Sequence, residues 1–119
     1  MVERLTSTVA VVSIADTSAD RARIEDACFT PAELDELRGR AVQSLAGWLA
    51  LKRALVELAV RLGRPAPAER DFVLSRAPSG APRLVPGHPL ADAGDPLVSI
   101  SHTRAWAYAL AVAKAADEA

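Results

Sequence analysis

The sequence predicts an α+β fold in which one long helix packs on an antiparallel sheet. Three observations carry that prediction. The elements run strand, short helix, long helix, hairpin, hairpin, so helices and strands are grouped and do not alternate. The stretch 41–62 reads as one long helix with a wide apolar face. The stretch 105–115 sets large residues at every second position with alanine between them, which leaves one smooth face for that helix to lie on.

The 119 residues are expected to form a single domain spanning 1–119. Half are hydrophobic and about a quarter are charged, a globular composition. The formal net charge of −1 gives no global attraction to nucleic acid or to an anionic membrane. Cys28 is the one cysteine, so the chain can form no internal disulfide and no cysteine-based zinc site, and Cys28 is read as a small apolar filler. The N-terminal stretch lacks the basic start of a signal peptide, and no apolar run approaches the roughly 20 residues of a membrane span. A cytoplasmic location is the resulting expectation.

Taken in order, "TVAVVSIA" (8–15) has four β-branched residues besides Thr8 and reads as a buried strand. "DTSADRARIEDA" (16–27) reads as a turn into a short helix, with Asp16, Ser18 and Asp20 as candidate caps. In "TPAELDELRG" (30–39), Thr30, Pro31 and Glu33 form a capping box with proline at the first helical position. The long helix follows, ended by Gly63. Trp48, Leu49, Leu51, Leu55, Val56, Leu58 and Leu62 make its apolar face. Arg53, Glu57 and Arg61 share one stripe, continued by Ala46 and Ala50. "GRPAPAER" (63–70) is a loop, and "DFVLSR", "PSGAP" and "RLVP" read as a hairpin turning at Ser79-Gly80. Residues 86–96, with three prolines and two glycines, form a surface excursion in which His88 is solvated. "LVSISHT" (97–103) and 105–115 are the last two strands.

The chemistry-bearing residues are few. Ser101 and His102 are not a nucleophile–base pair, because neighbours on a strand face opposite sides. Asp16, Asp20, Glu25 and Asp26 cluster in sequence, as metal ligands or simply as turn and cap residues. There is no Gly-rich phosphate loop and no paired-histidine zinc motif. By spacing alone, Arg53, Glu57 and Arg61 make a surface salt-bridge ladder.

Taken together, four segments in order resemble the holo-acyl-carrier-protein synthase type of 4′-phosphopantetheinyl transferase. They are "VAVVSIAD", "FTPAELDEL", "SLAGWLALKRALVELA", and "SGAPRL" followed by "VSISHTRAWAYALAV". The resemblance implies a 4′-phosphopantetheinyl transferase-like fold. It also implies transfer of the phosphopantetheine arm of coenzyme A to a carrier-protein serine, with magnesium on the pyrophosphate. The family's two metal carboxylates fall at Ser13 and at Arg53, and a shifted register would put Asp16 in the first position. Glu57 stands where the family often has a lysine facing the phosphates, and the family's helix arginine falls near Trp48.

An arginine cannot ligate magnesium, but its guanidinium binds phosphate bidentately. One reading is therefore a non-catalytic relative, a pseudoenzyme that binds coenzyme A, an acyl or peptidyl carrier protein, or another partner. Its ligand-binding residues would be Lys52, Arg53, Ser101 and His102. A second is a working transferase whose magnesium sits on Asp16, Glu57 and substrate phosphates, with Glu57 as the catalytic residue. A third is a structural subunit of a trimer, the assembly that the resemblance implies.

Overall fold

The computed structural model describes residues 2–117. Strand β1 (Val2–Ser13) runs into four helices: α1 (Ile14–Ala19), α2 (Arg21–Cys28), α3 (Pro31–Leu37) and the long α4 (Val42–Arg61). Strands β2 (Leu74–Arg76) and β3 (Pro82–Leu84) form one hairpin, and β4 (Leu97–His102) and β5 (Trp106–Asp117) form another. The main sheet has the order β1-β5-β4 and is antiparallel throughout.

β1 is longer than the expected strand at its N-terminal side and shorter at its other end. Residues 2–7 are too polar to announce a strand, yet they pair with residues 112–117 of β5, so that β1 runs against β5 from Ser13 opposite Trp106 to Val2 opposite Asp117. Cross-strand pairing overrides local pattern here. At the other end Ser13 stops the strand. Its hydroxyl accepts the Asp16 N–H at 3.2 Å, making Ser13 the cap of α1 in place of the candidates downstream. Asp20 occupies the N-cap position of α2 without a side-chain cap bond, and its carboxylate pairs with Arg23 at 2.9 Å.

The capping box of α3 forms as the sequence predicts, with the Thr30 N–H donating to Glu33 Oε1 at 2.9 Å and the Glu33 N–H to Thr30 Oγ1 at 3.4 Å. α4 ends in a Schellman motif. The Gly63 N–H donates to the Val60 carbonyl and the Arg64 N–H to the Ala59 carbonyl, with Gly63 at φ +78°.

α4 lies on the alanine face of β5, where Ala107, Ala109, Ala111 and Ala113 are all buried. Thr8 ties β1 to the helix by donating to the Ala54 carbonyl at 2.6 Å. Leu45, Leu49, Leu51, Leu55 and Leu58 fill the interior, each stabilising by roughly 1.5–3 kcal/mol when fully buried. At Gly47 the helix comes so near β4 that an added Cβ would stand 2.8 Å from Ile100 Cγ2.

Segment 86–96 departs from expectation at His88, which is buried at 5 % exposure and not solvated. Its Nδ1 accepts the Leu90 N–H at 3.1 Å, its Nε2 meets Asp95 Oδ1 at 2.7 Å, and its ring lies on Phe72. Leu90 anchors the segment at 1 % exposure, and Arg64 pairs with Asp92 to tie it to the end of α4. Among the described residues, no helix is long and apolar enough to cross a membrane.

Candidate functional site

The end of β1 and the middle of α4 meet at a cavity of about 500 Å³. Ser13 and Asp16 line it from the strand end and first helical turn, Arg23 and Cys28 from α2, Arg53 from α4 and Trp106 from β5. Ser13 is fixed there because its hydroxyl caps α1 and its carbonyl accepts Thr17 Oγ1 at 2.8 Å. Arg53 is exposed, and among the described residues it has no hydrogen-bond or ion-pair partner. The Cys28 thiol in the wall is pushed above its ordinary value by burial first and by Glu69 second, against the opposing pull of Arg53.

The other sequence-predicted residues are not gathered here. Adjacent residues on a helix point about 100° apart, so Lys52 faces inward where Arg53 faces out. Its ammonium is wholly buried, bonded to Glu33 Oε2 at 2.7 Å and to the Cys28 carbonyl at 2.9 Å, and lies 4.5 Å from the centre of the Phe29 ring. Burial lowers its pKa, and the bond to Glu33 opposes that shift. The expectation that Lys52 stands beside Arg53 on a phosphate is therefore not met, since the nitrogen is sealed from any ligand. Glu57, one turn beyond Arg53, pairs with Arg61 at 2.9 Å and does not line the cavity. His102 is exposed and opens onto a separate groove of about 410 Å³. Ser101 sits opposite Tyr108 on the outer face of the sheet.

No family model and no curated protein matches the sequence. Solved structures do. Apo-ACPS from Chronobacterium ammoniagenes superposes with a TM-score of 0.80 at 22% identity, covering 98% of this chain and 100% of that one. Helicobacter pylori holo-[acyl-carrier-protein] synthase in complex with coenzyme A superposes at 0.72 with 24% identity, covering 92% and 100%. The Chronobacterium ammoniagenes ACPS–CoA complex gives 0.76 at 23%, covering 92% and 96%. This chain has the holo-acyl-carrier-protein synthase fold. The α+β expectation is met.

Within the holo-acyl-carrier-protein synthase fold, Ser13 and Arg53 share one cavity although 40 positions separate them in sequence. Three carboxylates line this cavity, those of Asp16, Asp20 and Glu69. Among the described residues, no three His, Cys, Asp or Glu side chains converge in a way that could hold a metal. Asp20 is tied to Arg23, Ser13 is occupied as a cap, and Arg53 adds a fixed positive charge to the lining. Sequence reasoning did not single out Arg23 or Trp106 as site residues. Trp106 becomes visible only once the β1–β5 register sets it opposite Ser13. The double role of Glu33 was also missed, because its partner Lys52 is 19 positions away.

Proposed function

We propose that this protein is a holo-acyl-carrier-protein synthase-like binder of coenzyme A in which an arginine has replaced the metal, and that it does not transfer the phosphopantetheine arm. The observation carrying this reading is the unpartnered Arg53 guanidinium on the cavity shared with Ser13. A guanidinium offers paired N–H donors and a fixed charge, which suits a pyrophosphate and asks for no metal. Transfer is a different matter. A carrier serine attacking the pyrophosphate needs the developing charge neutralised and its proton accepted, and Glu57 lies outside the cavity on Arg61. Coenzyme A as the ligand is supported by the solved complexes of the same fold. An acyl or peptidyl carrier protein is the partner that would present the arm or receive it, and self-association, as a trimer, belongs to the same reading.

The presence of Asp16 on the same cavity favours a second reading, a working transferase. Intact-protein mass spectrometry of an apo carrier protein incubated with coenzyme A, magnesium and this chain separates the two. No mass gain is expected, while a known synthase run alongside adds the arm. A carrier that gains the arm overturns the pseudoenzyme reading. Calorimetry then tests the ligand: coenzyme A should bind equally with magnesium and with excess chelator, and metal-dependent binding would contradict the role given to Arg53.

A further inference from the structure

Segment 86–96 closes around one ring. The His88 side chain is 1% exposed, and both of its nitrogens are engaged. A backbone N–H can only donate, so the Leu90 N–H, 3.1 Å from Nδ1, needs a bare lone pair there. The hydrogen of the neutral ring therefore stands on Nε2 and is donated to Asp95 Oδ1 at 2.7 Å. Phe72 under the ring and Leu90 on the segment are both buried core residues. Most charges on the surrounding elements are engaged elsewhere. Asp92 of the segment is held by Arg64, from beyond the end of α4. On the 3₁₀ turn Glu69–Asp71, Asp71 accepts the Ala68 N–H, Arg70 donates to the Asp26 carbonyl and Glu69 lines the Arg53 cavity. Lys114 of β5 lines a groove that it shares with Asp95. Among the described residues, Asp95 is the charge bonded to the ring, and its side chain is 77% exposed.

We propose that the segment is a latch released by a proton: protonating His88 Nδ1 sets donor against donor at the Leu90 N–H and opens residues 88–95. Asp95 keeps its bond through this change, because Nε2 keeps its hydrogen and the exposed carboxylate can follow the ring. What is lost is the Leu90 bond, together with the burial that it holds in place. The open segment accepts a proton that the closed one refuses, so acid favours opening and neutral pH favours closure. An imidazole in water takes that proton at about pH 6.5, which puts the response within reach of ordinary changes of pH. The effect extends to the sheet. Ala93, Gly94 and Asp95 form one wall of a groove of about 500 Å³ whose other walls include Leu5, Leu97 and Val112. Opening the segment removes that wall and uncovers Phe72 and Leu90. None of these residues lines the Arg53 cavity, so the latch does not depend on what that cavity binds.

Nuclear magnetic resonance of the unaltered protein tests the latch directly. At pH 7.5 the His88 ring should carry hydrogen on Nε2 and none on Nδ1. As the ring gains its second proton between pH 7.5 and pH 5, the Leu90 amide should lose its hydrogen-bonded shift with the same midpoint. Hydrogen exchange across 88–95, corrected for its own pH dependence, should quicken about five- to tenfold, the range of one net hydrogen bond. His88→Asn offers the Leu90 N–H an amide oxygen and cannot titrate. Its segment should exchange alike at both pH values, although His102 still titrates there. Hydrogen on Nδ1 at pH 7.5, a ring still neutral at pH 5, or a Leu90 amide that stays bonded while the ring titrates overturns the proposal. So does a pH response that persists in His88→Asn. Should that variant leave the segment open at every pH, the decision passes to the unaltered protein, where only a Leu90 amide that changes with the ring upholds the latch.

Discussion

At the scale of single residues, the interior charge pair is the feature with most at stake. Glu33 closes the capping box of α3, accepts the Leu74 N–H at 2.8 Å and neutralises Lys52, all at 1 % exposure. Removing one partner of such a pair leaves a buried, uncompensated charge, so Glu33→Gln should cost about 3–5 kcal/mol in chemical denaturation. Lys52→Met should cost less when Glu33→Gln is already present than when it is absent, since the two share one interaction. Additive costs would mean that the pair is not coupled. Cys28 gives a pH prediction of known sign. Only the thiolate is alkylated, and burial holds the Cys28 pKa above its ordinary 9.0, so less thiolate is present near neutrality. Iodoacetamide should label Cys28 more slowly than a free thiol at pH 8, with the rate still climbing past pH 9.0. Labelling as fast as the free thiol would contradict that burial.

Elements show which parts of the fold could be read in advance. The capping box was legible because its bonds span three residues, and β5 because the alternation of large residues and alanine survives in the bare sequence. The first half of β1 was not, since its only strong signal is the partner strand more than 100 positions away. His88 misled for a related reason: prolines and glycines mark a turn, but they do not say that the turn folds its histidine under onto Phe72. Arg53 was legible as a charge on a helical stripe, whereas its separation from Glu57 depended on Arg61 capturing that carboxylate. Gly47 carries the element-scale prediction. Because its missing Cβ is what lets α4 meet β4, Gly47→Ala should destabilise by about 1–3 kcal/mol despite alanine's better helix propensity. Ile100→Ala should recover part of that loss in a double-mutant cycle. No interaction between the two sites would show that the helix does not press on that methyl.

For the whole molecule, the sheet is the open question of the fold, because α4 covers only one of its faces. On the other, Leu5, Val9 and Val11 of β1, Trp106 and Leu110 of β5 and Leu97 of β4 are 39–72% exposed. Register joins them into one patch, with Val9 opposite Leu110, Val11 opposite Tyr108, and Val112 opposite Leu97. Soluble monomers rarely leave so continuous an apolar surface uncovered. Light scattering behind size exclusion should therefore give a mass above one chain across the micromolar range. Val9→Glu with Leu110→Glu should reduce it to one chain, while Val60→Glu, at an exposed position on α4, should not. A monomeric unaltered protein would refute assembly through this face. The same variant bears on the site, because Trp106 is exposed at the end of the patch and also lines the Arg53 cavity. If packing on that face fixes the Trp106 ring, the double-glutamate monomer should bind coenzyme A more weakly even though Ser13, Asp16 and Arg53 are untouched. Unchanged affinity in the monomer would instead mean that one chain holds the complete cavity.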